Sequence, residues 1–220
     1  MRGLSSQSYN SVYNKSMPSR NVVKVDIPNT YYHVYARGHC RKSIYRDDKD
    51  YRVFLNLLKR YLSIETMNDS SGRPYSNLHG KIELSCYCLM PNHFHLLLYQ
   101  INERAMPQLM RGVMTSYSRY FNKKYKLSGA LFETTYKASM ILLDKYLMHI
   151  SRYIHINPKN WRTYKYSSLP YYLGKKPPEW LQPTRITELF TSTNEYEIFV
   201  ADYEDYKDML DEIKHELANQ

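Results

Sequence analysis

Three absences bound what this chain can be. In 220 residues it has only three cysteines, Cys40, Cys86 and Cys88. A small and odd number cannot build a disulfide framework, so the fold must rest on an apolar core, and a reducing compartment, the cytoplasm, is expected. No apolar run approaches the roughly 18 residues that a membrane span requires, so no membrane partner is expected. Met1 to Arg20 is polar and rich in Ser, Asn and Tyr. It lacks the apolar centre of a secretory signal, and residues 1–28 read as a loose, flexible arm. No segment repeats another.

Acidic residues are also scarce over most of the chain. The formal net charge is +10, yet residues 179–220 hold 3 Lys/Arg (Arg185, Lys207, Lys214) against 11 Asp/Glu, which leaves 28 basic and 10 acidic residues for the remainder. A body that basic, in a chain with 24 tyrosines, suits a polyanion with stackable bases, a nucleic acid. Solubility alone is the blander explanation. Residues 179–220 read as an acidic, mainly helical tail, with a solvated helix over 201–218. Such a tail either masks the basic body or simply solubilises it.

What is present falls into a legible order. Asn29 to Arg37 is aromatic and β-branched, a first strand, closed by Gly38-His39. Asp47-Asp48 open a helix as cap and first-turn acids, and Val53, Leu55, Leu57, Leu58, Tyr61 and Leu62 give it an apolar stripe to about Ser63. Lys81–Leu89 reads as a second strand, joined through Met90-Pro91-Asn92 to a third over His93–Tyr99. A helix over Met106–Tyr125, a strand over Ala138–Leu142 and a helix from Asp144 to the stop at Asn157-Pro158 complete the set. The order β-α-β-β-α-β-α predicts an α+β fold with one mostly antiparallel sheet over residues 29–178.

The chemistry centres on His93-Phe94-His95. Residues two apart in a strand point to one face, so both imidazoles project together and make half of a divalent-metal site. Cys86 and Cys88 would join them in a closed zinc site only if the hairpin register put all four on one face, with Cys88 opposite His93. The third helix offers further groups: Tyr153 and Asn157, four apart, with His149 a turn earlier. A phenol is a poor nucleophile near neutral pH, its pKa being about 10, and a nearby cation would help activate it. Asn157 supplies a carbonyl oxygen for a hard cation such as Mg²⁺. On spacing alone Tyr117 and Tyr120 rival Tyr153.

Met90-Pro-Asn-His-Phe-His-Leu-Leu97 resembles the His-hydrophobic-His motif of the single-tyrosine HUH transposases (IS200-like transposases), and the wider pattern resembles their REP-associated tyrosine branch. The match takes in Tyr32-His33-Val34 with Arg37-Gly38, Thr115-Ser116-Tyr117 through Phe121-Asn122, Arg152 through Pro158, and Tyr166-Ser167-Ser168, and it covers about residues 29–175. The resemblance implies a ferredoxin-like (RRM-like) antiparallel sheet with helices on one face, here followed by a C-terminal helical extension. It implies Tyr153 as the nucleophile that cuts single-stranded DNA through a 5′-phosphotyrosine link. It further implies Mg²⁺ or Mn²⁺ held by His93, His95 and Asn157, where some relatives use glutamine. Hairpin-containing single-stranded DNA, a cytoplasmic, nucleoid-associated location, and a monomer or homodimer follow in the same way.

Arg37, Arg41, Lys42, Arg111, Arg119, Lys123, Lys137 and Arg152 are the candidate DNA-backbone contacts, with weight as a cluster rather than singly. His149 is a possible accessory group. His155 lies off the Tyr153–Asn157 face and reads as structural or as a phosphate contact, while His33 and His39 carry no assigned role. Two other readings stand beside strand transfer: a non-catalytic nucleic-acid-binding protein that kept the fold, and a metal-dependent hydrolase that uses water.

Overall fold

The computed structural model describes residues 26–141 and 144–202. A four-stranded antiparallel sheet is formed by β1 (Thr30–Arg37), β2 (Ile82–Met90), β3 (His93–Gln100) and β4 (Lys137–Ile141), in the order β2-β3-β1-β4. The expected strands are all there. The last expected residue of β4, Leu142, lies outside the described residues, as do 1–25 of the expected arm and 203–220 of the expected acidic helix.

One face of the sheet carries α1 (Asp48–Leu62) and α2 (Ala105–Tyr125). Val34, Ala36, Leu84, Phe94, Leu96 and Leu98 pack there against Phe54, Leu58, Leu109, Val113 and Phe121. Asp47 caps α1 in a reciprocal capping box with Asp50, as its position in the sequence suggests. Asp50 is fully buried and ion-paired to Lys124 at 2.7 Å, and it accepts hydrogen bonds from Tyr120 and Tyr125. That network fixes the two helices to each other.

The opposite face is also covered. There α3 (Asp144–Ile156) packs with three short helices, α4 (Leu169–Tyr172), α5 (Thr184–Thr187) and α6 (Thr193–Ala201). Cys86, Cys88, Leu97 and Ile141 from the sheet meet Leu147, Ile150 and Ile154 of α3, and Ile186, Tyr196 and Val200 close the cluster. The sheet therefore has a second helical layer beyond the one-face arrangement expected. The described part of the acidic segment contributes to it through its apolar side chains. Ser85 is the reason β2 alternates weakly in sequence: the register shifts between Leu84 and Cys86, a bulge that moves the apolar pattern from one face to the other.

His155 ties this layer together, with Nδ1 2.7 Å from the Tyr196 hydroxyl and Nε2 2.8 Å from Ser168 Oγ. Burial pushes its pKa down to about 3, whereas the unfolded imidazole takes up its proton near 6.5. Stability is therefore complete above about pH 6.5 and is lost as the pH falls toward the folded value, by about 1.4 kcal/mol per pH unit for this one group. Urea unfolding is expected to show a loss of about 2 kcal/mol or more between pH 7 and pH 5; equal stability at the two would contradict a buried neutral His155.

Candidate active site

The β2–β3 turn, Pro91-Asn92, is anchored to the loop after β1. Gly38 N donates to Asn92 O at 2.8 Å, Ile44 N donates to Pro91 O at 2.8 Å, and Asn92 Nδ2 donates to Arg41 O at 3.1 Å. Gly38 sits so close to the Lys42 carbonyl that a Cβ would lie 2.1 Å from it, which explains the glycine. Cys40 and Arg41 both have positive φ, 52° and 58°, a strained pair that the anchoring holds in place. The outcome is a rigid start to β3, with exposed Arg41 and Lys42 close by.

From that start, alternation sends Phe94 into the α1/α2 core and His93 and His95 to the other face. Opposite them in β1 stand Arg37, paired with His93, and Tyr35, paired with His95. The two strand histidines lie with ring centroids 5.0 Å apart and planes at 86°. Each has its Nδ1 engaged. His93 Nδ1 is 2.7 Å from Asn92 Oδ1, and His95 Nδ1 is 2.9 Å from Nε2 of His33, whose ring centroid lies 5.0 Å from that of His95.

Helix α3 brings the second half. Tyr153 is half-buried, and its ring stands edge-on to His95 at 5.3 Å and to His33 at 5.8 Å. Asn157, one residue past the helix end at Ile156, places Oδ1 3.1 Å from His93 Nε2. Asn157 and His93, 64 residues apart in sequence, thus meet on one face, within one chain. Burial pushes the pKa of His95 well below the ordinary histidine value, and His33, His93 and Arg37 add to the effect. Burial also lowers that of His93, against the opposing bond to Asn157. Both imidazoles are therefore neutral near pH 7, the form that ligates a metal.

The donor set fits a divalent cation. Two neutral imidazoles share a face with the Asn157 carboxamide oxygen, and both imidazoles have Nδ1 held by a neighbour, as ligating histidines require. The zinc alternative does not materialise. Cys88 is opposite His95 rather than His93, and Cys86 is opposite Leu97. Both thiols are fully buried in the apolar cluster, and burial pushes both pKa values up. Among the described residues no three His, Cys, Asp or Glu side chains come together as a metal site.

The other candidates separate by face. Lys137, opposite Tyr35 in β4, lies with Nζ 5.8 Å from the Tyr35 ring, on the histidine face. Arg37, paired with His93, is exposed, as are Arg41 and Lys42 in the loop after β1. Arg111, Arg119 and Lys123 are exposed on α2, across the sheet from the histidines. Arg152 is not among the surface cations expected to track DNA. It is completely buried, and its guanidinium donates to Phe199 O at 3.0 Å and Asp202 O at 3.4 Å and contacts His149 Nδ1 at 2.8 Å. The reason is that α6 folds back over α3 and covers it. His149 is bound up in the same junction, packed on Phe199 at 5.4 Å. Tyr117, buried, donates to Ile44 O at 2.5 Å, and Tyr120 donates to Asp50; both lie across the sheet from the histidines, which removes them as rivals of Tyr153.

Sequence reasoning missed His33 and Asn92 as partners of the histidine pair. Period-2 alternation does put His33 on the face of Tyr35 and Arg37, but only the β1–β3 register reveals what stands beside it. Residues 76–157 match the family model described as "Transposase IS200 like". A solved structure of a REP-associated tyrosine transposase bound to a REP hairpin aligns with a TM-score of 0.51 at 14% identity, over 74% of this chain and 90% of that one. A second, from Deinococcus radiodurans R1 and described as a transposase candidate, aligns with a TM-score of 0.37 at 15% identity, over 63% of this chain and 95% of that one. The first establishes a shared fold. No curated protein sequence matches significantly.

Proposed function

With residues 76–157 matching the IS200-like transposase family, we propose that this chain is a metal-dependent nickase and strand transferase for single-stranded DNA, acting through Tyr153. The observation that carries this reading is the meeting of Tyr153 with the imidazoles of His95 and His33 while Asn157 reaches His93. A tyrosine, a neutral histidine pair and a carboxamide oxygen on one rigid face form a site for in-line attack on a phosphodiester.

In that reaction the Tyr153 hydroxyl oxygen bonds to the scissile phosphorus and the bond to the 3′ oxygen breaks. The phenol gives up its proton and the departing 3′ oxygen gains one. The 5′ phosphate remains on the protein as a phosphotyrosine, which keeps the energy of the broken bond for later attack by a free 3′-OH. His93, His95 and Asn157 would hold Mg²⁺ or Mn²⁺, which supplies Lewis-acid polarisation of the phosphate. Arg37 and Lys137 lie on the histidine face, Arg41 and Lys42 are exposed in the loop bonded to Asn92, and all four suit the flanking DNA backbone. Arg111, Arg119 and Lys123 extend the basic surface over α2. A hairpin-containing single strand is the substrate we favour, since the relative of shared fold is bound to a REP hairpin. Contact between Tyr153 and His95 of the same chain supports a site complete within a monomer. Among the described residues no helix is long and apolar enough to cross a membrane.

The test is a denaturing-gel assay with Mn²⁺ and single-stranded hairpin DNAs labelled at either end. The expected result is a slow protein–DNA band that carries the label downstream of the cut. EDTA should remove it, and His93→Ala should lower its rate of formation by about 10²–10³-fold. Tight binding without cleavage across many hairpins would favour a purely nucleic-acid-binding protein instead.

A further inference from the structure

His33 is the one histidine of the cluster to which the proposed chemistry assigns no task. It is 1% exposed, it lies at the centre of the sheet in β1, and its only side-chain hydrogen bond among the described residues links Nε2 to His95 Nδ1 at 2.9 Å. The ring planes are 18° from parallel with centroids 5.0 Å apart, the side-by-side arrangement that a hydrogen bond between ring nitrogens needs. Its other nitrogen, Nδ1, is buried and makes no hydrogen bond among the described residues. A buried imidazole with an orphaned nitrogen is a poor choice for packing alone, because an unsatisfied buried polar atom destabilises the fold where an apolar side chain would not. All of its polar capacity is directed at His95.

We propose that His33 is a positioning residue for the cation site: it accepts a hydrogen bond from His95 Nδ1 and so fixes the tautomer that leaves the Nε2 lone pair of His95 for a divalent metal. This rests on the reading of His93, His95 and Asn157 as metal ligands. The logic is that of an outer-shell partner. A neutral imidazole carries one proton, so a ligand at one nitrogen requires that proton on the other, and an acceptor placed there selects the productive form and holds the ring still. His33 can accept there because Nε2 lies 2.9 Å from His95 Nδ1 and is the one of its two ring nitrogens with a hydrogen-bond partner among the described residues. Asn92 gives the same service to His93, since Oδ1, held by the amide's bond to Arg41 O, accepts from His93 Nδ1. The two arrangements differ in that the His33 partner is entirely shut off from water, so no solvent molecule replaces it when it is removed.

The test uses the full-length protein, its His33→Phe and His33→Gln variants, and His93→Ala as the reference loss. Mn²⁺ affinity is measured by titration with detection of free Mn²⁺ by electron paramagnetic resonance. Imidazole tautomers are read from long-range ¹H–¹⁵N correlation spectra of ¹⁵N-histidine-labelled protein. Wild-type His95 is expected to carry its proton on Nδ1. His33→Phe should weaken Mn²⁺ binding by about 10–100-fold and displace that proton, whereas His33→Gln, whose amide oxygen can accept in place of Nε2, should stay within about threefold of wild type. Equal losses in Phe and Gln variants would assign His33 to packing and overturn the proposal, as would a wild-type His95 protonated on Nε2. Mn²⁺ binding by wild type that His33→Phe matches overturns the role of His33 alone. No Mn²⁺ binding by wild type, or none lost in His93→Ala, overturns the metal reading on which it rests.

Discussion

Tyr153→Phe is expected to lower covalent protein–DNA adduct formation and strand transfer by on the order of 10⁴-fold or more, with the fold and the affinity for DNA retained. The phenylalanine ring keeps the edge contacts that Tyr153 makes with His95 and His33, so the loss falls on the nucleophilic oxygen. Substitution by another tyrosine is limited by geometry. Tyr117 and Tyr120 are held across the sheet by Ile44 O and Asp50. Tyr35 does share the face, with its ring 5.7 Å from that of His95, but burial and the neighbouring Tyr153 raise its pKa, which makes it a worse nucleophile. Single-turnover kinetics on a hairpin substrate, read as adduct formed per minute, decide the matter. Cleavage at the wild-type rate without an adduct would assign the attack to water and favour the hydrolase reading.

Arg152→Ala is expected to cost about 2–5 kcal/mol of stability, and to weaken DNA binding only as far as the protein unfolds. Four features add up to a loss of this size. The guanidinium serves the carbonyls of Phe199 and Asp202 at the C-terminal end of α6, where a cation also complements the helix dipole. Its Cζ lies 4.3 Å from the Phe199 ring centroid. Its removal would break the 2.8 Å contact with His149 Nδ1 and open a cavity the size of one of the largest fully buried side chains. Because α3 carries Tyr153, loosening α6 should reach the site indirectly. Equilibrium urea unfolding measures the cost. An Arg152→Ala protein as stable as wild type that had lost DNA affinity at low salt would return Arg152 to the DNA-binding surface.

The contrast between Arg152 and His93 shows what the sequence could carry. His93 and His95 are legible because period-2 spacing is local: two residues in one strand share a face whatever surrounds them. The same holds for Asp47 as a cap and for Asn157-Pro158 as a helix stop, each a signal confined to a few residues. Arg152 sits in a segment that resembles a DNA-processing family, and a lone arginine on a helix is ordinarily a surface charge. Its partners are carbonyls 47 and 50 residues away, contributed by a short helix that folds back, and carbonyls leave no trace in side-chain pattern. His33 was hidden for a related reason. Its partner lies 62 residues away, across the β1–β3 ladder. The second helical layer was obscured by the bulge at Ser85, which breaks the alternation that would have marked both faces of β2 as buried.

Mass spectrometry of the adduct tests the central claim most directly. Wild-type protein is incubated with Mn²⁺ and a short single-stranded hairpin, treated with nuclease and digested, and its peptides are sequenced. The account expects one modified residue, Tyr153, bearing a nucleotide through its 5′ phosphate. A nucleotide on Tyr35 or any other residue, a 3′-linked nucleotide, or quantitative cleavage with every tyrosine unmodified would contradict it.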